Sequence, residues 1–231
     1  MKRSQVNKII HEADRFLKEN HFYLPPFAYW KPEVWKAKGK EVQEIIDRKL
    51  GWDITDFGSG KFEQIGLCIF TIRNGDPANL EKKAGKLYAE KILIAEPGQI
   101  TPMHFHWQKT EDIINRGGGN FKIQVYNSTN DEQLDMKSDV VVSLDGTEKV
   151  YKAGSIITLT PGMSITIPGY LYHKFWGDER RVMIGEVSLV NDDDADNRFL
   201  EPAGRFPVIE EDEAPLYLLC TEYHKYWQTV D

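Results

Sequence analysis

The sequence predicts a mainly β protein in which N-terminal helices precede a sandwich or barrel of short strands. Apolar residues recur at helical spacing over residues 4–20, in the first quarter of the chain. From Phe62 onward the pattern changes to short β-rich runs separated by glycine and proline turns, which is typical of sandwiches and barrels. No repeat or linker divides the chain. We therefore expect one domain over residues 1–231, with residues 1–60 packed on the barrel as an extension.

This extension should contain two helices joined by an aromatic segment. Ser4 is the candidate N-cap of the first helix, and the second should run over about residues 40–50 and stop at Gly51, before a loop at 51–60. Residues 22–35 between them are dense in aromatic side chains. We favour an arm packed on the barrel over the wall of a ligand pocket, because most aromatic residues lie in cores or interfaces.

The strands are predicted from β-rich runs bounded by turn residues. The candidates are residues 65–73, 88–96, 121–126, 140–144, 150–151, 155–159, 163–167, 172–176 and 182–190. Asp145-Gly146 predicts a hairpin turn. The tail at 216–220 should pack as a helix or a strand.

Composition excludes several functional classes. Hydrophobic residues make up 41% and charged residues 28% of the chain, which is typical of a soluble globular protein. The formal net charge of −7 argues against a nucleic-acid partner. No apolar run approaches the roughly 20 residues that a membrane span needs. Nothing in the sequence indicates export, so we expect a cytoplasmic protein in which Cys68 and Cys220 stay reduced.

A candidate metal site lies between Gly98 and Gly118. His104 and His106 are two residues apart, so on a strand both imidazoles leave the same face. Glu111 follows closely enough to reach them from a bend or from the next strand. A His-x-His pair alone is weak evidence for a metal site. Two imidazoles and a carboxylate that converge would form a divalent metal site.

The spacing of these residues resembles the two signatures of the cupin barrels. The first signature is matched by Gly98, His104, His106, Glu111 and Gly118. The second is matched by Gly162, Pro168 and His173, and in cupins it supplies a fourth ligand. Tyr170 stands where this signature has glycine, and Gly177 stands where it has asparagine; neither position is a ligand, so the departures concern turn geometry. The resemblance implies a jelly-roll β-barrel that holds a metal ion.

Three charged residues near the candidate ligands have two interpretations. Lys91, Lys109 and Glu186 are surface charges in the first; in the second they face the pocket. Glu186 interrupts an apolar strand, and a charge there is rarely buried without a partner. A lysine beside a metal cation should have a lowered pKa. An inward Glu186 would be a candidate acid or base.

A closer resemblance covers most of the chain. Residues 91–119, with Lys91, Pro102-Met-His-Phe-His-Trp-Gln-Lys109 and Thr-Glu111-Asp-Ile-Ile-Asn, resemble the D-lyxose ketol-isomerase family of cupins. Residues 185–193 and 196–207 are similar to it as well. This resemblance implies a manganese-dependent isomerase that interconverts D-lyxose and D-xylulose, and often D-mannose and D-fructose, through a cis-enediol.

The same resemblance implies roles for individual residues. The metal ligands carried over are His104, His106, Glu111 and His173. The catalytic residues carried over are Lys91, Lys109, Glu186 and Asp193. The general base stays open between Glu186, Glu201 and Glu210. The ligand set suits Mn²⁺, with Co²⁺, Zn²⁺ and Fe²⁺ as alternatives, and does not suit Ca²⁺ or Mg²⁺.

Other functions of a cupin barrel stay open at this point. A phosphosugar isomerase would need a cluster of cations, and Arg180-Arg181 is the only adjacent arginine pair, in a position that looks exposed to solvent. An oxygen-using cupin and a non-catalytic sugar-binding cupin are the other two alternatives. Because the extension exceeds what a minimal barrel needs, we expect a homodimer built partly from it.

Overall fold

Two β-sheets and a short series of helices make up the fold, in a computed structural model that describes residues 1–227. The α-helices are α1 (Arg3–Glu19), α2 (Pro32–Lys36), α3 (Gln43–Asp47) and α4 (Ala78–Lys82), with 3-10 turns at Pro26–Tyr29, Lys40–Val42 and Tyr223–Lys225. The strands are β1 (Gly51–Thr55), β2 (Leu67–Arg73), β3 (Tyr88–Ala95), β4 (Thr101–Phe105), β5 (Glu111–Gly118), β6 (Phe121–Ser128), β7 (Leu134–Asp135), β8 (Val140–Leu144), β9 (Thr147–Tyr151), β10 (Ile156–Leu159), β11 (Ser164–Ile167), β12 (Leu171–Gly177), β13 (Val182–Leu189) and β14 (Arg198–Phe199). The prediction of a mainly β cupin-type barrel is confirmed.

The strands form two antiparallel sheets that face each other. The larger sheet has the order β1-β2-β3-β13-β5-β11-β8-β9. The smaller has the order β10-β6-β12-β4-β14, and β7 pairs with β6. The predicted strands are present within a few residues of their expected bounds, and the hairpin turn at Asp145-Gly146 joins β8 to β9 with both residues at positive φ.

Side-chain alternation along β3 decides which residues reach the interior. Leu93 and Ala95 belong to the core cluster between the sheets. Ile92 and Ile94 point the other way and pack in a second cluster with α1. Because successive side chains leave opposite faces of a strand, Lys91 shares the inward face with Leu93.

Helix α1 covers the outer face of the larger sheet. Its apolar stripe, Val6, Ile10, Ala13 and Leu17, is buried in the cluster that also contains Phe70 of β2. The prediction of Ser4 as N-cap is wrong, because the helix begins at Arg3 and its N-cap is Lys2, two residues before Ser4. The Ser4 hydroxyl instead donates to Asp212 of the C-terminal segment at 2.7 Å.

Two further predictions in the extension need correction. The second helix consists of two shorter pieces, the 3-10 turn and α3, and it ends before Leu50. Residues 51–55 were expected to be a loop, but they form β1, which pairs with β2. Trp52 and Ile54 pack toward α1, whereas Asp53 lies on the opposite face of the strand, where it pairs with Arg205. Glycines on both sides of this short alternating run obscured the strand.

The aromatic segment packs on the barrel, as favoured. Phe27 contacts Phe70 with ring centroids 5.4 Å apart, and Trp35 stacks on Tyr223 at 4.2 Å. No residue of 22–35 lines the cavity at the histidines in the described part of the chain, so the pocket-wall alternative is wrong. Tyr23 is exposed.

The C-terminal segment also packs on this side of the barrel. Leu219 and Cys220 are buried, and the Cys220 N–H donates to the Trp52 carbonyl at 2.7 Å. The segment forms an isolated bridge rather than the expected helix or strand. Cys68 and Cys220 are both free thiols. Among the described residues, no helix is long and apolar enough to cross a membrane.

Candidate active site

Three histidines converge between the two sheets. His104 on β4 pairs directly with His173 on β12, and His106 follows the end of β4 on the same side. One ring nitrogen from each lies within 4.8 Å of the other two, and all three side chains are buried. They line an interior cavity of about 50 Å³. Larger clefts beside α1 contain none of these residues, so chemistry rather than volume identifies the site.

Each imidazole is held by a backbone carbonyl. Nδ1 of His104 lies 2.8 Å from the Pro102 oxygen, and Nδ1 of His173 lies 3.0 Å from the Leu171 oxygen. Nδ1 of His106 lies 2.6 Å from the Asp196 oxygen. A carbonyl can only accept, so each Nδ1 carries a proton, and the lone pair of a neutral ring lies on Nε2. This tautomer is the one that a metal site on Nε2 requires.

Glu111 reaches the histidines from the other sheet. Its Oε1 lies 3.1 Å from Nε2 of His173 and 3.6 Å from Nε2 of His106. Burial raises its pKa, but Lys109 and His106 outweigh that effect and hold the pKa well below its ordinary value. The carboxylate is therefore ionised. Glu111 adds an oxygen beside the three nitrogens, although the cluster in which all atoms are mutually close consists of the histidines.

These residues fit a divalent transition metal ion. Nε2 of His173 is buried and lies 3.1 Å from Glu111 Oε1, but with the proton on Nδ1 its lone pair makes no hydrogen bond to that oxygen. A buried polar atom without a bond is costly unless a ligand meets it. Burial and the neighbouring imidazoles of His173 and His106 hold the pKa of His104 well below its ordinary value, so its ring is neutral. Neutral imidazoles with one carboxylate suit ions from Mn²⁺ to Zn²⁺.

The turn of the second cupin signature survives the substitution of its glycine. Tyr170 adopts a left-handed conformation with φ of 62°, a region that glycine enters at less cost. Its N–H donates to the His106 carbonyl at 2.8 Å. The turn therefore still connects the two histidine-bearing segments.

A buried row of alternating charges leads away from Glu111. Lys109 Nζ lies 2.7 Å from Glu111 Oε2 and 2.9 Å from Glu186 Oε1. Lys91 Nζ lies 3.6 Å from the same Glu186 oxygen and 3.6 Å from Asp193 Oδ1. The surface-charge interpretation is therefore wrong for Lys91, Lys109 and Glu186, which are 4%, 3% and 5% exposed.

Two carboxylates flank Lys109 and act on its pKa. We expected a lowered lysine pKa beside a metal cation. Burial does lower the pKa, but Glu111 and Glu186 outweigh it, so the pKa of Lys109 in the protein chain lies above its ordinary value. Lys109 is therefore an ammonium group that donates hydrogen bonds.

The row continues to Arg205 through Asp193. Arg205 Nη2 lies 3.4 Å from Asp193 Oδ2 and also pairs with Asp53 of β1. Burial raises the pKa of Asp193, but Lys91 and Arg205 outweigh it and bring the pKa far below its ordinary value. Four carboxylates and three cations thus alternate from Glu111 to Asp53.

The alternative glutamates lie elsewhere. Glu201 and Glu210 are both exposed, and neither lines the cavity. The Glu210 backbone pairs with the chain beside Lys2, at the start of α1. Of the three candidates for the base, Glu186 is the one in the cavity wall.

The arginine pair expected to be exposed is partly engaged within the protein, because Arg181 pairs with Glu12 and Glu96 beside α1.

Several residues of the site were missed by sequence reasoning. Asn191 accepts from Lys91 Nζ at 2.5 Å and from Lys109 Nζ at 3.3 Å. The Asp196 carboxylate accepts the backbone N–H groups of Gln108 and Lys109, both at 3.0 Å. Asp196 and Asn191 lie in a run rich in acidic residues, a composition that usually marks a solvated loop. The acidic composition is a local property of the sequence, so it could not show that this loop folds back over the site.

The sequence is similar to known proteins along nearly its whole length. The model of the D-lyxose isomerase family matches residues 1–223. The chain belongs to the D-lyxose isomerase family. It is 48% identical to a D-lyxose/D-mannose isomerase from Serratia proteamaculans, over 98% of this chain and 99% of the relative. It is 45% identical to a D-lyxose/D-mannose isomerase from Escherichia coli O157:H7, over 98% of this chain and 100% of the relative.

Solved structures share the fold of this isomerase. An L-ribose isomerase from Cellulomonas parahominis superimposes with a TM-score of 0.61 at 16% identity, over 91% of this chain and 98% of that chain. At this identity the likeness concerns the fold. Membership of the family makes the chain an aldose–ketose isomerase, and it decides against the oxygen-using and non-catalytic alternatives.

Proposed function

We propose that this isomerase interconverts D-lyxose and D-xylulose, and also D-mannose and D-fructose, with the help of a divalent metal ion. The observation that carries the proposal is the group of three buried histidines whose Nδ1 atoms are all fixed. It lies beside a buried Lys–Glu–Lys array. The names of the two relatives above support the choice of sugars.

His104, His106 and His173, with Glu111, would hold the ion. We propose Mn²⁺, since the donor set of three nitrogens and one oxygen suits mid-series ions; Co²⁺, Zn²⁺ and Fe²⁺ share that preference. When bound, such an ion supplies Lewis-acid polarisation of the sugar carbonyl. The side chains of this protein would carry out the proton transfers and stabilise the charge that develops on the sugar.

Glu186 is our candidate for the base. Both lysines contact its Oε1, and Oε2 takes no hydrogen bond from the described residues. Oε2 would remove the proton from the carbon next to the carbonyl and return it to the neighbouring carbon of the cis-enediol. Transfer between adjacent carbons by a single carboxylate needs no second base for carbon, and the hydroxyl proton that must pass from O2 to O1 would be carried by the ammonium groups of Lys109 and Lys91.

Lys109 and Lys91 would stabilise the negative charge that develops on the sugar oxygens. Both are buried, so their charge acts in a medium of low dielectric constant. Asn191 accepts from both ammonium groups and keeps them on the same side of Glu186. Asp193 contacts Lys91 and Arg205, and we assign it to holding those two cations in place.

A metal-stripped assay tests the function directly. The apo-protein is incubated with D-lyxose, with and without Mn²⁺, and D-xylulose is measured. We expect product only with the ion, and we expect the reaction to proceed without oxygen. Failure to form D-xylulose with any of the four ions, while one ion binds per chain, would refute the proposed reaction. A parallel assay with D-mannose decides whether hexoses are also accepted.

We also propose that the protein acts in the cytoplasm as a homodimer, with the N-terminal extension contributing to the contact. The large extension motivates this proposal. Light scattering of the purified protein would refute it if the mass were that of one chain.

A further inference from the structure

Three buried polar atoms lack a hydrogen-bond partner in the described part of the chain. They are Thr101 Oγ1, His173 Nε2 and Arg205 Nη1. All three residues line the cavity at the histidines. Folded proteins pair nearly all buried polar atoms, because an unpaired one loses its bonds to water without compensation. Because all three occur in one cavity, we take them as groups that form hydrogen bonds or coordinate bonds to a ligand.

Two of these atoms have no role in the function proposed above. His173 Nε2 belongs to the candidate metal ligands. Thr101 lies at the start of β4, three positions before His104, and is 3% exposed. Its hydroxyl can both donate and accept, as can the hydroxyl groups of a sugar.

Arg205 lines the cavity with one terminal nitrogen paired and the other unpaired in the described chain. Its Nη2 pairs with Asp53 and lies 3.4 Å from Asp193, whereas Nη1 is buried and free in the described chain. A guanidinium group carries donors in a rigid fork. Two carboxylates therefore fix the plane of the group, and one donor in the cavity wall is left without a partner in the described chain.

The charge of the cavity decides which kind of ligand fits. Its three cations, Lys91, Lys109 and Arg205, are each paired with carboxylates. A phosphate group needs cations that are free to pair with it. The site thus suits an uncharged polyol and disfavours a sugar phosphate.

We propose that Thr101 Oγ1 and Arg205 Nη1 bind the hydroxyl groups of the open-chain sugar beyond its two reacting carbons, and so determine which aldoses the enzyme accepts. This inference rests on the proposed function. Phe57, Phe175 and Phe199 line the same cavity and provide apolar surface for the C–H faces of the chain. The metal end of the cavity holds the reacting carbons, and this pair holds the rest.

Conservative variants and a sugar without a carbonyl test the proposal. Thr101→Val removes the hydroxyl at constant shape, and Thr101→Ser retains it. Arg205→Lys keeps the charge and removes Nη1. Binding of the pentitol obtained by reducing D-lyxose is measured by calorimetry on the metal-loaded protein, because this polyol cannot be isomerised. We expect Thr101→Val and Arg205→Lys to weaken binding about tenfold each, and Thr101→Ser to bind like the wild type.

Two control variants lie outside the cavity. The Thr166 hydroxyl donates to Asp112 at 2.5 Å, and Arg181 pairs with Glu12 and Glu96. Thr166→Val and Arg181→Lys should leave pentitol binding unchanged. Unchanged binding in Thr101→Val and Arg205→Lys as well would overturn the inference.

Deoxy sugars test the same contacts without relying on variants. With the wild type we expect kcat/KM to fall about tenfold when the hydroxyl bound by Thr101 is absent from the aldose. Thr101→Val should then show no additional loss on that deoxy sugar. An equal Thr101→Val penalty on every deoxy sugar would refute a direct contact. If the wild type turns over no D-lyxose at all, the proposed function fails, whereas turnover with unaltered variant binding overturns this inference alone.

Discussion

Lys91 on β3 lies directly opposite Glu186 on β13, and the lysine Nζ is 3.6 Å from Oε1 of the glutamate. The two strands are antiparallel neighbours, so residues in register place their side chains on the same face. That face is the interior of the barrel. Lys109 approaches the same oxygen at 2.9 Å from the loop before β5. A carboxylate is thus buried between two ammonium groups next to the candidate metal site.

Glu186→Gln should lower kcat at least about a hundredfold, because an amide cannot accept the proton from carbon. Metal content should stay at the wild-type level, since Glu186 is not one of the clustered metal-binding residues. Turnover of D-lyxose and metal stoichiometry are measured on the same sample. Glu201→Gln, at an exposed position, is the control and should be fully active. Wild-type turnover by Glu186→Gln would remove this residue from the mechanism.

His106→Ala should lose metal and activity together. A bound ion stabilises the folded state by about 2.7 kcal/mol when its concentration is 100 times the dissociation constant. We therefore expect Mn²⁺ to raise the melting temperature of the wild type and to leave that of His106→Ala unchanged. His11→Ala changes an exposed histidine of α1 and should respond to Mn²⁺ like the wild type. A Mn²⁺-dependent rise in His106→Ala would show that this histidine is not a ligand.

Asp196→Asn should reduce activity about 10- to 100-fold, which is the usual effect of removing a group that orients a site residue. The carboxylate accepts two backbone N–H groups, including that of Lys109, and a neutral amide accepts them less strongly. The His106 contact uses the backbone oxygen of Asp196 and is retained. Asp194→Asn, in the same loop but exposed, should have little effect on kcat/KM. Equal losses in both variants would point to the loop rather than to Asp196.

Acid should destabilise the fold partly through Asp193. Its folded pKa lies below the unfolded value of about 3.9, so the stability it contributes is present above about pH 4 and is lost as the pH falls toward the folded pKa. The free energy of unfolding, measured by urea titration, should therefore fall as the pH decreases from about 5 to 3. Asp193→Asn should show a shallower decrease. Asp131→Asn removes the charge of an exposed aspartate and is the control. If the free energy of unfolding of Asp193→Asn fell with pH as steeply as that of the control, the assignment to Asp193 would be contradicted.

Arg3→Met should destabilise the protein by about 3–5 kcal/mol, because it removes the buried guanidinium that pairs with Glu222 and leaves the exposed Lys225, 3.5 Å away, beside that buried carboxylate. Arg3 is 1% exposed and donates from Nη1 to Glu222 at 3.1 Å and from Nε to Glu211 at 2.8 Å. These bonds attach the C-terminal segment to α1. Urea unfolding of Arg15→Ala, which breaks an exposed pair with Glu19, should differ from the wild type by less than about 0.5 kcal/mol. If Arg3→Met lowered the free energy of unfolding by as little as Arg15→Ala does, Arg3 would not stabilise the attachment of the C-terminal segment.

The histidine cluster could be predicted from the sequence because its information is local. His104 and His106 share a face through the period of a strand, and the two glycine-marked signatures fix their spacing to Glu111 and His173. The helix α1 and the strands β2, β3, β6 and β8 to β13 also follow from periodicity within each segment. Short segments were harder to predict from the sequence. In residues 51–55, polar and apolar side chains alternate over only one short strand bounded by glycines. Both faces of this strand are buried, and the residues that cover them come from distant parts of the chain.

The sequence by itself determined the barrel class, the candidate metal residues and the family, since each depends on residue types at short, regular spacing. Only the tertiary structure decided that Glu186 rather than Glu201 or Glu210 lines the cavity. It also decided that Thr101 and Arg205 have unpaired atoms there. Pairing between strands far apart in the sequence, and the return of the C-terminal segment to β1, set these positions. Burial and partner atoms are properties of that packing, because desolvation acts on a side chain through its neighbours in space.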